Sequence, residues 1–535
     1  MEGFADIIIF NAEVFTADEN QPHAQAVALR GNRILFVGSD ADAKTLASPA
    51  TRLIDARGRT VMPGFIDSHF HLISGSTELR FAQLQDVRSV DELSRELKAH
   101  ANRSPMPDWV VGMGLVYRLE PISRTLTRHD LDAIIPDRPV VVDAFDSHTS
   151  WANTEALRRA GLLNGRDVGE FGKVVIGPDG LASGELHEGA AIEPVHALIP
   201  EPSEDEKKAL LLRALEMASQ YGLTSVHNMN GNLADSELLA RLDLEGHLPL
   251  RVYMPLLILP ESNLEAFTEA IEMRKKFASG MIRGGLVKFF MDGVIESHTG
   301  LLLDDYTGAP GQRGTANFDV EHFTDLAIEA DRLGFQIAVH CTGDAAVRRV
   351  LDAIELAHAK NGKRDSRHRV EHVELISDAD LPRFASLGAI ASMQPSHRPI
   401  HTTGSDLWPE RVGPGRWRRA FAWRTLRDAG ARLAFGSDWT VASMNPLQGV
   451  HAALTAPIWQ PGDPEQRQTL EEALLGYTRD AAYAEFMEHE KGALKEGFLA
   501  DVVILSENIF DVPAEQLLRI HVDLTICNGE IRFER

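Results

Sequence analysis

Cysteine is nearly absent. The 535 residues contain two, Cys341 and Cys527, far apart and in no Cys-x-x-Cys pair. That usage argues against both a disulfide framework and a thiolate zinc site, and it suits a reducing compartment. Long apolar runs are also missing: no stretch approaches the roughly 20 residues needed to span a bilayer. Met1-Glu2-Gly3-Phe4-Ala5-Asp6 lacks the charged-then-apolar layout of a secretory leader. The expectation is a soluble, cytoplasmic protein. Positive charge is scarce, with 54 Lys and Arg against 78 Asp and Glu, a net charge of −24 and no basic stripe. Such a field repels nucleic acid and anionic membrane, so neither is expected as a partner. Internal repeats, low-complexity tracts and long charge runs are absent as well.

What is present is ordinary globular composition, 44% hydrophobic and 25% charged, on a chain long enough to bury a large core. Residues 1–62 alternate as half-buried strands, with a hairpin turn at Gly31-Asn32. The far end shows the same character, including an Asn528-Gly529 turn of the I′ type. Residues 1–62 and 486–535 therefore read as one small composite β-sandwich built from both termini. Between them, apolar strands alternate with amphipathic helices, among them Glu204–Tyr221, Glu261–Ala278, Glu321–Leu333 and Trp417–Ala429. The strands are expected at 65–71, 223–228, 250–256, 285–291, 336–341, 368–374, 388–394 and 432–437. Eight β/α units point to an α/β fold, a TIM-like (β/α)₈ barrel over 63–485, whose chemistry belongs at the C-terminal strand ends. Residues from about 74 to 205 exceed one βα connection and read as a subdomain inserted after the first barrel strand. Its Asp146-Ser147-His148-Thr149-Ser150-Trp151 is polar and aromatic at a strand end, which nominates His148 and Trp151 as substrate contacts.

The first barrel strand follows Pro63-Gly64 and carries Asp67, His69 and His71 at i, i+2 and i+4. Alternate strand residues share a face, so two imidazoles there form a metal half-site. Lys288 lies inside the apolar run Gly285-Leu286-Val287-Lys288-Phe289-Phe290-Met291. An ammonium is costly to bury, and a lowered pKa would let the amine add carbon dioxide and become a carbamate, an oxygen ligand for two cations. Strand five ends at His340, strand six at Glu371-His372 and strand eight at Asp438. One histidine at a strand end is more often structural, but six candidate ligands in barrel order are hard to explain that way. Asp67 is a candidate to orient the ligands from behind, with Asp344 and Glu371 as weaker ones. His187, His298, His397 and His401 also fall in or near loops and are not nominated.

Together PGFIDSHFH, SHTSWANTEAL, VKFFMDG, VHCTGD, RVEHVE, MQPSH and FGSDW make the chain resemble the amidohydrolase superfamily. Within it, the likeness is to the amidohydrolase-3, or YtcJ-like, group that includes N-substituted formamide deformylases. The resemblance implies His69 and His71 as ligands of the more buried metal, His340 and His372 as ligands of a second, and a carboxylated Lys288 bridging them. Asp438 would touch the first metal and handle the proton. It further implies one or two divalent ions, zinc favoured, hydrolysing a C–N bond in a small molecule through a metal-activated hydroxide, and a possible homodimer or larger homo-oligomer. Two other readings compete. Deaminases of amino-heterocycles share the barrel but usually lack the strand-four lysine, and non-catalytic relatives lose ligands, whereas all six candidates are kept here.

Overall fold

Apolar β-rich segments pair in sequence order to form the centre of the computed structural model, which describes residues 3–103, 108–122, 124–145, 148–169, 172–398 and 407–535. The barrel strands are β1 (Phe65–Phe70), β2 (Leu223–Asn228), β3 (Arg251–Leu257), β4 (Ile282–Phe290), β5 (Gln336–Cys341), β6 (Arg369–His372), β7 (Ile390–Met393) and β8 (Arg432–Phe435). Neighbours pair parallel from β1 through to β8. The ring is drawn shut by Asp438 N–H donating to His69 O at 2.7 Å and His71 N–H donating to Trp439 O at 3.0 Å. All eight expected strands are found, and the sheet is a nearly closed TIM-like barrel. Strand six stops short of its expected end because His372 and Val373 turn into the left-handed region, at φ 71° and φ 50°.

 The turn is made by two successive non-glycine residues in a sparsely populated conformation, which sets the His372 side chain at the barrel mouth.

The helices form for local reasons that the sequence carries. Ser203 caps Glu204–Gln220 by accepting from Glu206 N–H, and Asp319 caps Val320–Arg332, which buries Phe323, Leu326, Ala327 and Ala330 at helical spacing. Two expected helices differ. The segment from Glu261 begins as a 3₁₀ turn at Leu264–Ala266, and the α-helix runs only over Phe267–Lys276. The segment 417–429 is broken: Trp417–Arg419 is a 3₁₀ turn and Trp423–Asp428 a separate helix. Phe421, at φ 48°, interrupts it and donates its N–H to Glu374 O at 2.8 Å, a bond to a distant loop that local periodicity does not encode.

Both termini lie in sheets outside the barrel. Ile7–Phe10, Ala26–Arg30, Arg33–Gly38 and Arg52–Asp55 form a four-stranded sheet. A six-stranded sheet joins Glu13–Phe15, His23–Ala24 and Thr60–Pro63 to Val502–Leu505, Val522–Cys527 and Glu530–Glu534. Residues of both sheets, including Ile9, Val27, Val61, Ile504 and Ile526, share one apolar cluster. Between β1 and β2 the chain makes a further six-stranded sheet with its own apolar clusters, ending at His148 and Phe145 beside the barrel mouth. Among the described residues no helix is long and apolar enough to cross a membrane.

Candidate metal centre

The barrel's C-terminal strand ends bring five of the expected ligands around one small space. His69 Nε2 lies 3.3 Å and His71 Nε2 2.9 Å from Asp438 Oδ1, while His372 Nδ1 is 3.9 Å from Asp438 Oδ2. Ligand atoms of His69, His372 and Asp438 fall within 4.8 Å of one another. The His340 ring centroid is 4.4 Å from that of His372. Asp438 reaches this position through a left-handed backbone, φ 56°, held from both sides. Its N–H is bonded to His69 O, and the preceding Ser437 N–H donates to Asp67 Oδ1 at 3.0 Å. Gly436 makes the close approach possible, since a Cβ there would sit 2.5 Å from His69 N and 2.7 Å from Asp67 Oδ1.

Each imidazole is fixed by one ring nitrogen. His69 Nδ1 lies 2.7 Å from Glu371 Oε2, His71 Nδ1 3.2 Å from Asn230 Oδ1, His372 Nδ1 2.8 Å from Gln394 Oε1, and His340 Nε2 3.1 Å from Gly293 O. With an acceptor holding the N–H of each ring, the other nitrogen is left with a lone pair, the arrangement that metal-binding histidines use. Burial pushes His69 down to about 4 and holds His340 and His372 well below the usual histidine range, so these rings are neutral. Burial opposes ionisation of Asp438, yet the facing His69 and His71 keep its carboxyl well below the usual range.

Lys288 is fully buried on β4, and among the described residues its Nζ has no hydrogen-bond partner, lying 4.3 Å from the centre of the Phe290 ring. Burial lowers its pKa to about 8 despite the opposing pull of Glu371 and Asp438. An orphaned amine beside neutral imidazoles and an ionised carboxylate is a donor set of nitrogen and oxygen atoms that fits a divalent metal.

Three sequence expectations are corrected. Asp67 does not orient a ligand ring: it accepts from the His69 and Ser437 backbone N–H groups and ties β1 to the segment carrying Asp438. Burial pushes its carboxyl up to about 7. The carboxylate behind His69 is Glu371, which Arg369 holds with Nε at 2.8 Å from Oε1. Trp151 is not at the site. It is fully buried in the inserted sheet's core, edge-on to Tyr117 at 5.5 Å, because strand alternation turns it into that sheet's apolar layer. Asp344 is also remote in role, accepting from Leu303 N–H at 2.9 Å. His148 does line the cavity, with Nδ1 2.8 Å from Glu188 Oε2. Asp146, Ser147 and His401 lie outside the described residues.

The cavity over these groups has a volume of about 240 Å³ and is shared by His69, His71, His340, His372, Asp438 and His148. A second cavity of about 720 Å³ meets it at His148 and Phe290. The sequence reading missed Asn230, Gln394, His397 and Glu78. Asn230 and Gln394 sit just past β2 and β7, the same strand-end position that identified the histidines, and that signal could have found them.

Comparison with known proteins agrees with this geometry. A family model described as "Amidohydrolase family" matches residues 52–533. Protein LONG AFTER FAR-RED 3 of Arabidopsis thaliana is 31% identical over 95% of this chain and 88% of its own length. The putative amidohydrolase YtcJ of Bacillus subtilis is 29% identical over 98% of each chain. N-substituted formamide deformylase of Arthrobacter pascens is 26% identical over 100% of this chain and 99% of its own. Among solved structures, an uncharacterized metal-dependent hydrolase from Pyrococcus furiosus is 28% identical, covers 93% of this chain and 98% of its own, and superposes with a TM-score of 0.71.

Proposed function

The chain belongs to the amidohydrolase family, and from that premise we propose that it hydrolyses an amide-type carbon–nitrogen bond in a small molecule, an N-acyl or N-formyl amine or a cyclic amide. The observation that carries this reading is the convergence of four imidazoles, each with one nitrogen already engaged, on Asp438 beside an orphaned Lys288 amine. His69, His71 and Asp438 would hold one divalent ion and His340 and His372 a second. Lys288 would serve as a bridging carbamate, formed when the neutral amine adds carbon dioxide and releases one proton. Nitrogen and oxygen donors of this kind suit zinc, and manganese, iron and nickel fit as well. A divalent cation bound there acidifies water and polarises the scissile carbonyl.

The remaining work falls to the chain's own groups. Asp438 takes the proton of the attacking water on a carboxylate oxygen and passes it to the leaving nitrogen, a role that requires the ionised form its surroundings maintain. Glu371 and Gln394 keep His69 and His372 in one tautomer. His148 and Phe145, from the inserted sheet, form the outer wall of the cavity and limit solvent access.

Nitrogen-product release from N-formyl, N-acyl, cyclic-amide and amino-heterocycle substrates tests the proposal, with Asp438→Asn prepared identically. The expected result is turnover of an amide that collapses in the variant. Ammonia from a heterocycle alone would replace the reading with a deaminase, and equal activity in both proteins would remove the chemistry from this site.

A further inference from the structure

We propose that the substrate carries an ammonium group bound by Glu78, so that the enzyme selects amides with a cationic arm over neutral or carboxylated ones; this rests on the hydrolase reading above and names its substrate class. Glu78 closes the helix Leu72–Glu78, which starts directly after His71, and it lines the same cavity as the candidate ligands. It accepts a hydrogen bond from the Thr440 hydroxyl, two residues past Asp438. No lysine or arginine lines this cavity among the described residues, and the residues outside that set include none. The two imidazoles that face Glu78 are already engaged, His71 with Asn230 Oδ1 at 3.2 Å and Asp438 Oδ1 at 2.9 Å, and His196 with its Nε2 3.1 Å from Asp143 Oδ1.

Among the described residues the Thr440 hydroxyl is the one hydrogen-bond donor to the Glu78 carboxyl and no lysine or arginine lines its cavity, so holding that group ionised against its burial calls for a cation that the cavity's side chains do not supply. A ligand ammonium entering the cavity compensates it, whereas a ligand carboxylate meets no positive side chain to offset the repulsion. The seven residues of the helix span about 10 Å at 1.5 Å per residue, and helical side chains lean toward the N-terminus. Glu78 therefore reaches back toward His71, and the ammonium belongs a short linker away from the scissile carbonyl. The chain's net charge of −24 also favours the approach of cations over a longer range.

Three formamides that differ only in the far end of one arm, ending in ammonium, hydroxyl or carboxylate, test this on the zinc-loaded full chain. The ammonium compound is expected to have the highest kcat/KM, at least tenfold above the hydroxyl compound, and Glu78→Gln should bring that ratio close to one. Glu78→Asp, which keeps the charge, should retain part of the preference. Calorimetric binding of putrescine against the uncharged 1,4-butanediol reads the same contact without turnover, with putrescine expected to bind tighter to the wild type and not to Glu78→Gln. If no formamide is cleaved but the putrescine preference is present and lost in the variant, the reaction assigned above is wrong and the ammonium site stands. A wild-type preference for the hydroxyl or carboxylate compound, equal binding of putrescine and 1,4-butanediol, or an unchanged preference in Glu78→Gln overturns the proposal. Should Glu78→Gln fail to fold, the wild-type ranking and Glu78→Asp still decide it.

Discussion

Two clusters of buried charge lie at opposite ends of the barrel, and they are finished differently. At the N-terminal strand ends, Lys491 Nζ is 2.5 Å from Glu485 Oε1, His227 Nε2 is 3.1 Å from the same oxygen, and Arg251 holds Asp501 through contacts of 2.9 and 3.2 Å. Lys491 and Arg251 each face a carboxylate there, so both cations have a counter-ion within the chain. At the mouth, Lys288 Nζ has no hydrogen-bond partner among the described residues, and the imidazoles of His69 and His71 face one carboxylate. Arg369 joins the two, reaching Glu371 on one side and His227 Nδ1 at 2.8 Å on the other. Burial costs both clusters the same kind of desolvation. The difference is that one is compensated from within the chain and the other is left open toward a cavity, which marks the mouth as the place for a ligand.

Substitutions at the two ends should separate these roles. The largest expected effect is on turnover: Asp438→Asn should lower kcat by about a thousandfold, the range for losing a general acid–base group, with thermal stability kept. A loss under tenfold in steady-state kinetics would break the contrast from the mouth side. At the other end, Glu485→Gln strands Lys491 and His227 without their carboxylate and should cost about 3–5 kcal/mol of stability, read by urea unfolding, with the metal content of the folded protein unchanged. Trp151→Ala should cost about 3 kcal/mol by opening a cavity in the inserted sheet's core, and KM should stay within about twofold because the ring lines neither of the cavities at the mouth. The smallest effect sharpens the comparison most. Lys288→Met removes a buried ammonium that the pull of Glu371 and Asp438 only partly offsets and that no hydrogen bond holds among the described residues, so the metal-free protein should unfold at equal or slightly higher urea, by about 1 kcal/mol, while its affinity for zinc falls. Destabilisation of the metal-free protein comparable to Glu485→Gln would show that Lys288 is a structural charge after all.

The barrel and the ligand set were legible for one reason. The strands are apolar runs, and the candidate ligands either end such a run, as His340, His372 and Asp438 do, share one strand face, as His69 and His71 do, or interrupt it, as Lys288 does, so purely local patterns locate both. What was not legible depends on contacts across the chain. Placing Asp67 with His69 and His71 by strand alternation was sound as geometry, but its carboxylate is claimed by the Ser437 backbone 370 residues away. The sequence nominates Trp151 as a substrate contact because it follows a polar strand end, and only the packing of Tyr117 against it shows that it faces the inserted sheet's apolar layer. The helix expected at 417–429 is broken by a bond from Phe421 to Glu374, again a partner that no periodicity names. Glu78 was missed because it lies within a helix rather than at a strand end, and its significance comes from what the cavity lacks around it.

Metal content tests the central claim most directly. Wild-type protein and the His69→Asn, His71→Asn double variant would be purified without added metal and analysed for every first-row transition metal per chain. The account predicts about one to two equivalents in the wild type, as a site with two sets of ligands allows, and a clear loss in the double variant with the fold retained by circular dichroism. A wild type that hydrolyses amides with almost no bound metal, or a double variant that binds as much as the wild type, would contradict it.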